Sequence, residues 1–324
     1  MIALGIESTS HTFAASIVSD KKKVHSDVRD MYKSDKEGWG IVPAECATHH
    51  RNVADSVIRK AISDSNVKKI DLISYSAAPG LPPSLHVGLN KAKEYAKELD
   101  VPLVGVNHCV AHLTSGHMFT PVKDPIYIFV SGANTQLISL EGKRFRIIGE
   151  TLDVGIGNAL DKFGRNIGIG FPAGPKIEEY ASDGVWVELP YVVKGMDLSF
   201  SGIVTAASNK FKQGGYRIPD LCYSIQETFF SMLTEVTERA MAHCNKKEAV
   251  IIGGVAANQR LIEMLTIMCR ERNAKMHAVP LKYSGDNAVM IAYQGLLQYN
   301  SGYRDKKPDI RPYERTDEVE VTWL

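Results

Sequence analysis

A chain of 324 residues is longer than one compact core usually accommodates, so two lobes are expected. Its 44% hydrophobic and 23% charged content excludes disordered and fibrous classes, and 38 basic against 37 acidic residues leave no general excess for gripping a polyanion unaided. No apolar run approaches the ~20 residues of a membrane helix, and the opening MIALGIESTS lacks the basic start and long apolar core of a signal peptide. Five scattered cysteines (Cys46, Cys109, Cys222, Cys244, Cys269), with no CxxC pair, suit reduced thiols in a cytoplasm.

In chain order, IALGIEST, FAASIVSD and KVHSDVRD predict three short strands separated by polar turns. A helix follows from about Pro43 to Ser63, its proline suited to a first turn. The strand IDLISYSA, a helix after APGLPPS, the strand PLVGVN and a short helix from His108 lead to a break around Pro121–Pro125. The pattern then restarts: PIYIFVSG, NTQLISLEG and RFRIIGETLD predict three more strands. Helices follow, the longest over about Pro219–Cys244, then the strand AVIIGGV, a helix, the strand MHAVP and a last long helix from Asp286. Two meanders, each followed by alternating helices and strands, predict a duplicated α/β topology with a mixed sheet in each lobe and a cleft between them. The lobes are drawn at residues 1–125 and 126–324, and RDKKPDIRPYERTDEVEVTWL reads as an irregular tail.

Three groups of residues could carry chemistry. His108 and His112, four apart, share one helical face about 6 Å apart along the axis, within reach of one metal ion; a pair of exposed or capping histidines has the same spacing. A zincin protease requires HExxH, and His108 is followed by Cys109. VSGAN (Val130–Asn134), IGGVAAN (Ile252–Asn258) and GIGFPAGP (Gly168–Pro175) are small-residue turns at strand or helix ends. There, backbone N–H groups can approach phosphate oxygens, although each is also an ordinary tight turn. None is GxxxxGK[ST], and VGIGNA lacks the GxGxxG strand-to-helix setting. Among carboxylates, Glu7 ends the first strand, and Asp161 and Glu178 flank FPAGP, where they suit ribose hydroxyls. Asp286 stands where a helix begins, the ordinary place of an N-cap.

Taken in order, GIESTSHT, GVNHCVAHL, VSGANTQ, DVGIGNALDKFGR with GFPAGP, MDLSFSG, GGVAAN and YSGDNAVMIA resemble the universal tRNA threonylcarbamoyladenosine transferases across nearly the whole chain. The IESTSHT start and RTDEVEVTW ending resemble the archaeal–eukaryotic branch, whose members are catalytic subunits of KEOPS complexes. The resemblance implies the actin-like ATPase fold shared with sugar kinases and heat-shock chaperones. It implies transfer of threonylcarbamoyl from threonylcarbamoyl-AMP to N6 of the adenosine beside the tRNA anticodon. It implies one divalent metal, iron or zinc, held by His108, His112 and Asp286, and an adenine nucleotide (threonylcarbamoyl-AMP or ATP) contacted by Phe129, Val130, Ser131, Gly132, Ala133, Asp161, Gly174, Glu178 and Asn258. Implied partners are tRNA, a small dimerising subunit, a small protein kinase and a kinase-binding subunit, with no membrane.

The chain departs from that pattern in two places. Phe129 stands where the family usually has a metal-ligating Tyr, and Tyr127, on the same strand face, is displaced by about 6–7 Å. Ala133 replaces a glycine, which demands backbone open to a small L-residue. Glu7 and His11 are candidate catalytic groups because the opening motif faces the expected cleft. Two rival readings share these motifs: a regulatory ATP-binding module that hydrolyses ATP slowly, and a metallopeptidase.

Overall fold

The computed structural model describes residues 1–33 and 41–324. These group into two compact units, one of residues 1–119, 142–145 and 286–324, the other of residues 120–141 and 146–285.

In the first unit, β1 (Ile2–Glu7), β2 (Thr12–Ser19) and β3 (Val24–Met31) form an antiparallel meander. α1 (Pro43–Ser65) leads to β4 (Leu72–Ala78), α2 (Pro82–Leu99) to β5 (Leu103–Asn107), and α3 (His108–Phe119) follows at once. β4 joins β1 in parallel and β5 joins β4, giving the order β3-β2-β1-β4-β5. α1 and α2 carry proline in the first turn, where its missing N–H costs nothing, and end at left-handed Asn66 and Asp100. The apolar residues of these strands and helices, among them Leu4, Ile6, Ile17, Tyr75, Ile58 and Ala92, form one buried cluster.

The second unit contains β6 (Ile126–Val130), β7 (Thr135–Glu141), β8 (Arg144–Glu150), α4 (Ile156–Asn166) and α5 (Ala173–Ala181). A two-residue hairpin, β9 (Val193–Lys194) and β10 (Asp197–Leu198), precedes α6 (Ser201–Gln213) and the long α7 (Ile218–His243). β11 (Glu248–Ile252), α8 (Gln259–Glu271), β12 (Lys275–Ala278) and the one-turn α9 (Leu281–Ser284) complete it. Its sheet runs β12-β11-β6-β7-β8, with β6 antiparallel to β7 and β11 parallel to both β6 and β12. A three-strand meander extended by two parallel strands is the order of the first sheet too, so the expected duplication is present in the topology.

The chain then returns to the first unit. α10 (Ala288–Asn300) packs on β1, β2 and β4 and against α3. Close approach requires glycine: a Cβ on Gly5 would collide with the Ala288 carbonyl and Ala292, and one on Gly295 with Ser74 Oγ. The boundary expected after residue 125 is therefore not the only crossing, because residues 286–324 group with the N-terminal unit. The helix expected from Asp286 begins two residues later, at Ala288.

The tail lacks long elements but is tied down. Tyr75 Oη donates to the Asp309 carbonyl at 3.0 Å, and Arg311 N donates to the Ala77 carbonyl at 2.7 Å. All five cysteines are free thiols. Among the described residues, no helix is long and apolar enough to cross a membrane.

Candidate functional site

The first unit gathers a buried group of nitrogen and oxygen donors where β1, β5, α3 and the start of α10 meet. Asn107, the last residue of β5, accepts from Val110 N through Oδ1 at 3.1 Å and so caps the first turn of α3. That helix then presents His108 and His112 one turn apart, with ring centroids 4.6 Å apart, both buried.

Asp286 is not the helix cap. Asn287 takes that role, accepting from Met290 N at 3.0 Å, and the Asp286 carboxylate turns to the histidines. Its Oδ1 lies 3.4 Å from Nε2 of His108 and 3.4 Å from Nε2 of His112. Three ligand-type atoms, one per residue, thus lie within 4.8 Å of one another.

Glu7 backs this group from the fully buried end of β1. Its Oε2 lies 2.9 Å from His108 Nδ1, while Oε1 accepts from Thr9 N at 2.7 Å and Thr9 Oγ1 at 2.5 Å. A carboxylate on Nδ1 fixes the tautomer, directs the Nε2 lone pair at the cluster and raises the basicity of the ring, the usual outer shell of a metal-bound histidine. Burial pushes the His108 pKa down, but the Glu7 and Asp286 carboxylates outweigh it and hold the ring well above its ordinary value. Burial also raises Asp286, yet His108 and His112 keep it well below the usual carboxylate range. Burial lowers His112. His108 is thus held between two carboxylates, Glu7 at Nδ1 and Asp286 at Nε2, and Asp286 also reaches His112 Nε2. The donor set of two imidazole nitrogens and one carboxylate oxygen fits a first-row divalent ion and leaves coordination positions for other ligands.

His11 lies partly exposed in the β1–β2 turn, its carbonyl accepting from Tyr32 N at 2.8 Å, and is not one of the three converging residues. Sequence reasoning missed Thr9, Asn107, Asn287 and Arg29, whose Nη1 reaches the Asp286 carbonyl at 3.4 Å. The Asn-His start of α3 carried a cap signal for Asn107; nothing local marked Arg29.

The nucleotide candidates all lie in the second unit. Phe129 and Val130 are buried at the end of β6, and Ser131, Gly132 and Ala133 form the turn after it. This turn caps α4 with its carbonyls, Ser131 O accepting from Gly157 N at 3.2 Å and Gly132 O from Asn158 N at 3.0 Å. The second glycine-rich turn locks onto the same strand end, since Gly253 at φ 99° sits against the Val130 carbonyl, where a Cβ would collide. The left-handed non-glycines among the described residues are Lys22, Asn66, Asp100, Asn245 and Asn273, so Ala133 keeps ordinary backbone.

Asp161, Glu178 and Asn258 each bracket a helix start. Asp161 Oδ1 accepts from Ala173 N at 2.7 Å, and Glu178 Oε1 from Gln259 N at 2.7 Å. Asn258 caps α8 through Leu261 N at 3.1 Å and donates to Gln226 Oε1 at 3.0 Å. Around Gly174 and Gly254, apart from chain neighbours and the backbone of their own helical turns, no heavy atom of the described residues lies within 4 Å of where a Cβ would sit, so a ligand can approach there.

Comparison with known proteins completes this picture. Residues 23–293 match the family model described as tRNA N6-adenosine threonylcarbamoyltransferase (TsaD). The chain is 52% identical over 328 residues to the tRNA N6-adenosine threonylcarbamoyltransferase of Thermococcus kodakarensis, covering 100% of both proteins. It is 47% identical over 329 residues to a probable bifunctional tRNA threonylcarbamoyladenosine biosynthesis protein of Methanosarcina mazei, covering 99% of this chain and 59% of that longer relative. Solved structures at lower identity share the fold. HypF of T. kodakarensis superposes at TM-score 0.60 with 17% identity, over 94% of this chain and 48% of that one. Component A of the (R)-2-hydroxyglutaryl-CoA dehydratase of Acidaminococcus fermentans gives 0.55 with 14% identity, over 91% and 97%. A ROK family glucokinase from Streptomyces griseus gives 0.52 with 13% identity, over 91% and 99%. With the actin-like ATPase and sugar-kinase fold in both sheets and sequence identity along its full length, the chain belongs to the tRNA N6-adenosine threonylcarbamoyltransferase family.

Proposed function

We propose that the chain transfers a threonylcarbamoyl group from threonylcarbamoyl-AMP to N6 of the adenosine beside the tRNA anticodon, in a cytoplasmic setting. In this reaction the exocyclic amine attacks the carbamoyl carbon, a C–N bond forms, the bond to the phosphate oxygen breaks, and AMP and a proton leave. The observation that carries the reading is the convergence of His108, His112 and Asp286, backed by Glu7, in a chain of this family.

His108, His112 and Asp286 would hold one divalent ion, iron or zinc, which when bound supplies Lewis acidity toward oxygen ligands. Glu7 keeps His108 in the tautomer that offers Nε2, and Thr9 anchors Glu7. The turns at Gly132–Ala133, Gly174 and Gly254 offer backbone N–H groups to an adenylate, with Phe129, Val130 and Ser131 holding the first of them at the end of β6. Asp161, Glu178 and Asn258 shape that surface by holding α5 and α8 in place. Phosphate is a good leaving group, so orientation of the amine and the acyl carbon carries much of the rate.

With 38 basic and 37 acidic residues, the chain neutralises few phosphates unaided. This supports partner subunits of the KEOPS type (a small dimerising subunit, a small kinase and a kinase-binding subunit) that extend the basic surface for tRNA. The test is nucleoside analysis of tRNA incubated with threonylcarbamoyl-AMP, the metal-loaded chain and those partners. The modified adenosine should form, and ATP hydrolysis without any of it would contradict the reading.

A further inference from the structure

We infer that the C-terminal strap positions the metal-site histidines through a contact between Glu314 and Asn107, making both positioning residues. The inference rests on the metal reading above but concerns a different part of the first unit.

Asn107 has two tasks and performs them with opposite ends of one amide. Oδ1 caps α3 by accepting from Val110 N at 3.1 Å. Nδ2 donates to Glu314 Oε2 at 3.1 Å and to the Glu314 carbonyl at 3.3 Å. The amide is 3% exposed, so water does not replace these partners cheaply. The next residue is His108.

Glu314 is itself fixed by the strap. Its Oε1 accepts from Arg311 Nε at 2.7 Å, and its N–H donates to the Arg311 carbonyl at 3.1 Å. Arg311 and Pro312 are stitched to the ends of β4 and the turn beyond it: Arg311 N donates to the Ala77 carbonyl at 2.7 Å, and Gly80 N donates to the Pro312 carbonyl at 3.2 Å. The strap therefore grips the residue before His108 while anchored on the sheet that carries Glu7. Two imidazoles and a carboxylate must hold their donors to within a few tenths of an ångström to bind one ion well, and outer-shell partners typically contribute 10–100-fold in metal affinity. A contact one bond further out is expected to contribute about tenfold.

The experiment is a Co²⁺ titration of the full chain, read by the visible d–d spectrum and by chelator competition, on the parent and three variants. Glu314→Ala removes the carboxylate acceptor for Asn107 Nδ2 and the anchor on Arg311, leaving the Glu314 carbonyl. Glu314→Gln keeps an oxygen for Asn107 Nδ2 while losing the charge on Arg311. Asn107→Asp keeps the cap but sets a carboxylate against Glu314. Thermal melts select a temperature at which all four are folded. The expected result is about tenfold weaker Co²⁺ binding with an altered spectrum in Glu314→Ala and Asn107→Asp, and near-parent affinity in Glu314→Gln. Parent affinity and spectrum in a folded Glu314→Ala would overturn the inference, leaving the metal site itself intact. Failure of the parent to bind Co²⁺ would instead overturn the metal reading.

Discussion

Replacing Glu7 by Gln leaves one carbonyl oxygen to serve both Thr9 and His108, which now use separate carboxylate oxygens. The expected cost is 10–100-fold in metal affinity, measured by chelator competition, with little change in far-UV circular dichroism. His50 predicts a separate effect. Burial pushes its pKa from 6.5 down to about 4, against the opposing hydrogen bond to the Ser10 carbonyl at 2.8 Å and with His49 adding to the depression. The unfolded chain therefore takes up a proton between pH 6.5 and 4 that the folded chain refuses. Stability from this group is full above pH 6.5 and is lost as pH falls through that window, by about 2 kcal/mol between pH 7 and pH 5. Urea unfolding at both pH values should show this loss in the parent and a smaller one in His50→Gln, which retains a donor for Ser10; equal losses would contradict the assignment. At this scale the sequence was readable where spacing decides geometry, as with His108 and His112. It was ambiguous where chemistry is shared: Asp286 and Asn287 are both good caps, and only the folded chain shows that Asn takes the cap and Asp the histidines.

The helices and strands were legible because their apolar periods and their proline and turn punctuation are strong; α1 and α7 begin within a residue of the expected places, whereas α2 begins at Pro82, inside the APGLPPS segment after which it was expected. The β9–β10 hairpin was not, since two-residue strands carry no period. Nor was the role of α10, whose docking depends on Gly5 and Gly295, glycines distant in sequence from the residues they face. Gly295→Val should therefore force Ser74 and the helix apart, costing about 1–3 kcal/mol. Asn287→Ala should cost about 1 kcal/mol by uncapping the helix. Thermal and urea unfolding of the two variants measure both. Because α10 carries Asp286 at its entrance, Gly295→Val should also weaken metal binding, whereas a glycine substitution such as Gly302→Ala, at φ 93° with no described heavy atom within 4 Å of a Cβ, should cost stability by strain alone and leave the metal affinity unchanged.

Over the whole molecule, the repeated order of meander plus two parallel strands was foreseen from the restart of the pattern after Pro125. The return of residues 286–324 to the first unit was not, because nothing in a tail rich in charge and proline says which sheet it crosses. Charge also acts at this scale. The even balance of 38 against 37 predicts that tRNA binding by the isolated chain is weak and is strengthened, with a larger salt slope, when partner subunits add phosphate contacts. Tight binding, unchanged from low to physiological salt, would contradict that. The central claim is a metal-dependent threonylcarbamoyl transfer built on His108, His112 and Asp286, and its most direct measurement is mass spectrometry of nucleosides from tRNA. The tRNA is treated with threonylcarbamoyl-AMP, partner subunits and either the metal-loaded parent or the His108→Ala, His112→Ala double variant. The account predicts N6-threonylcarbamoyladenosine with the parent and at least a hundredfold less with a folded, metal-free double variant. Equal formation by the two proteins, or none by the metal-loaded parent, would contradict it.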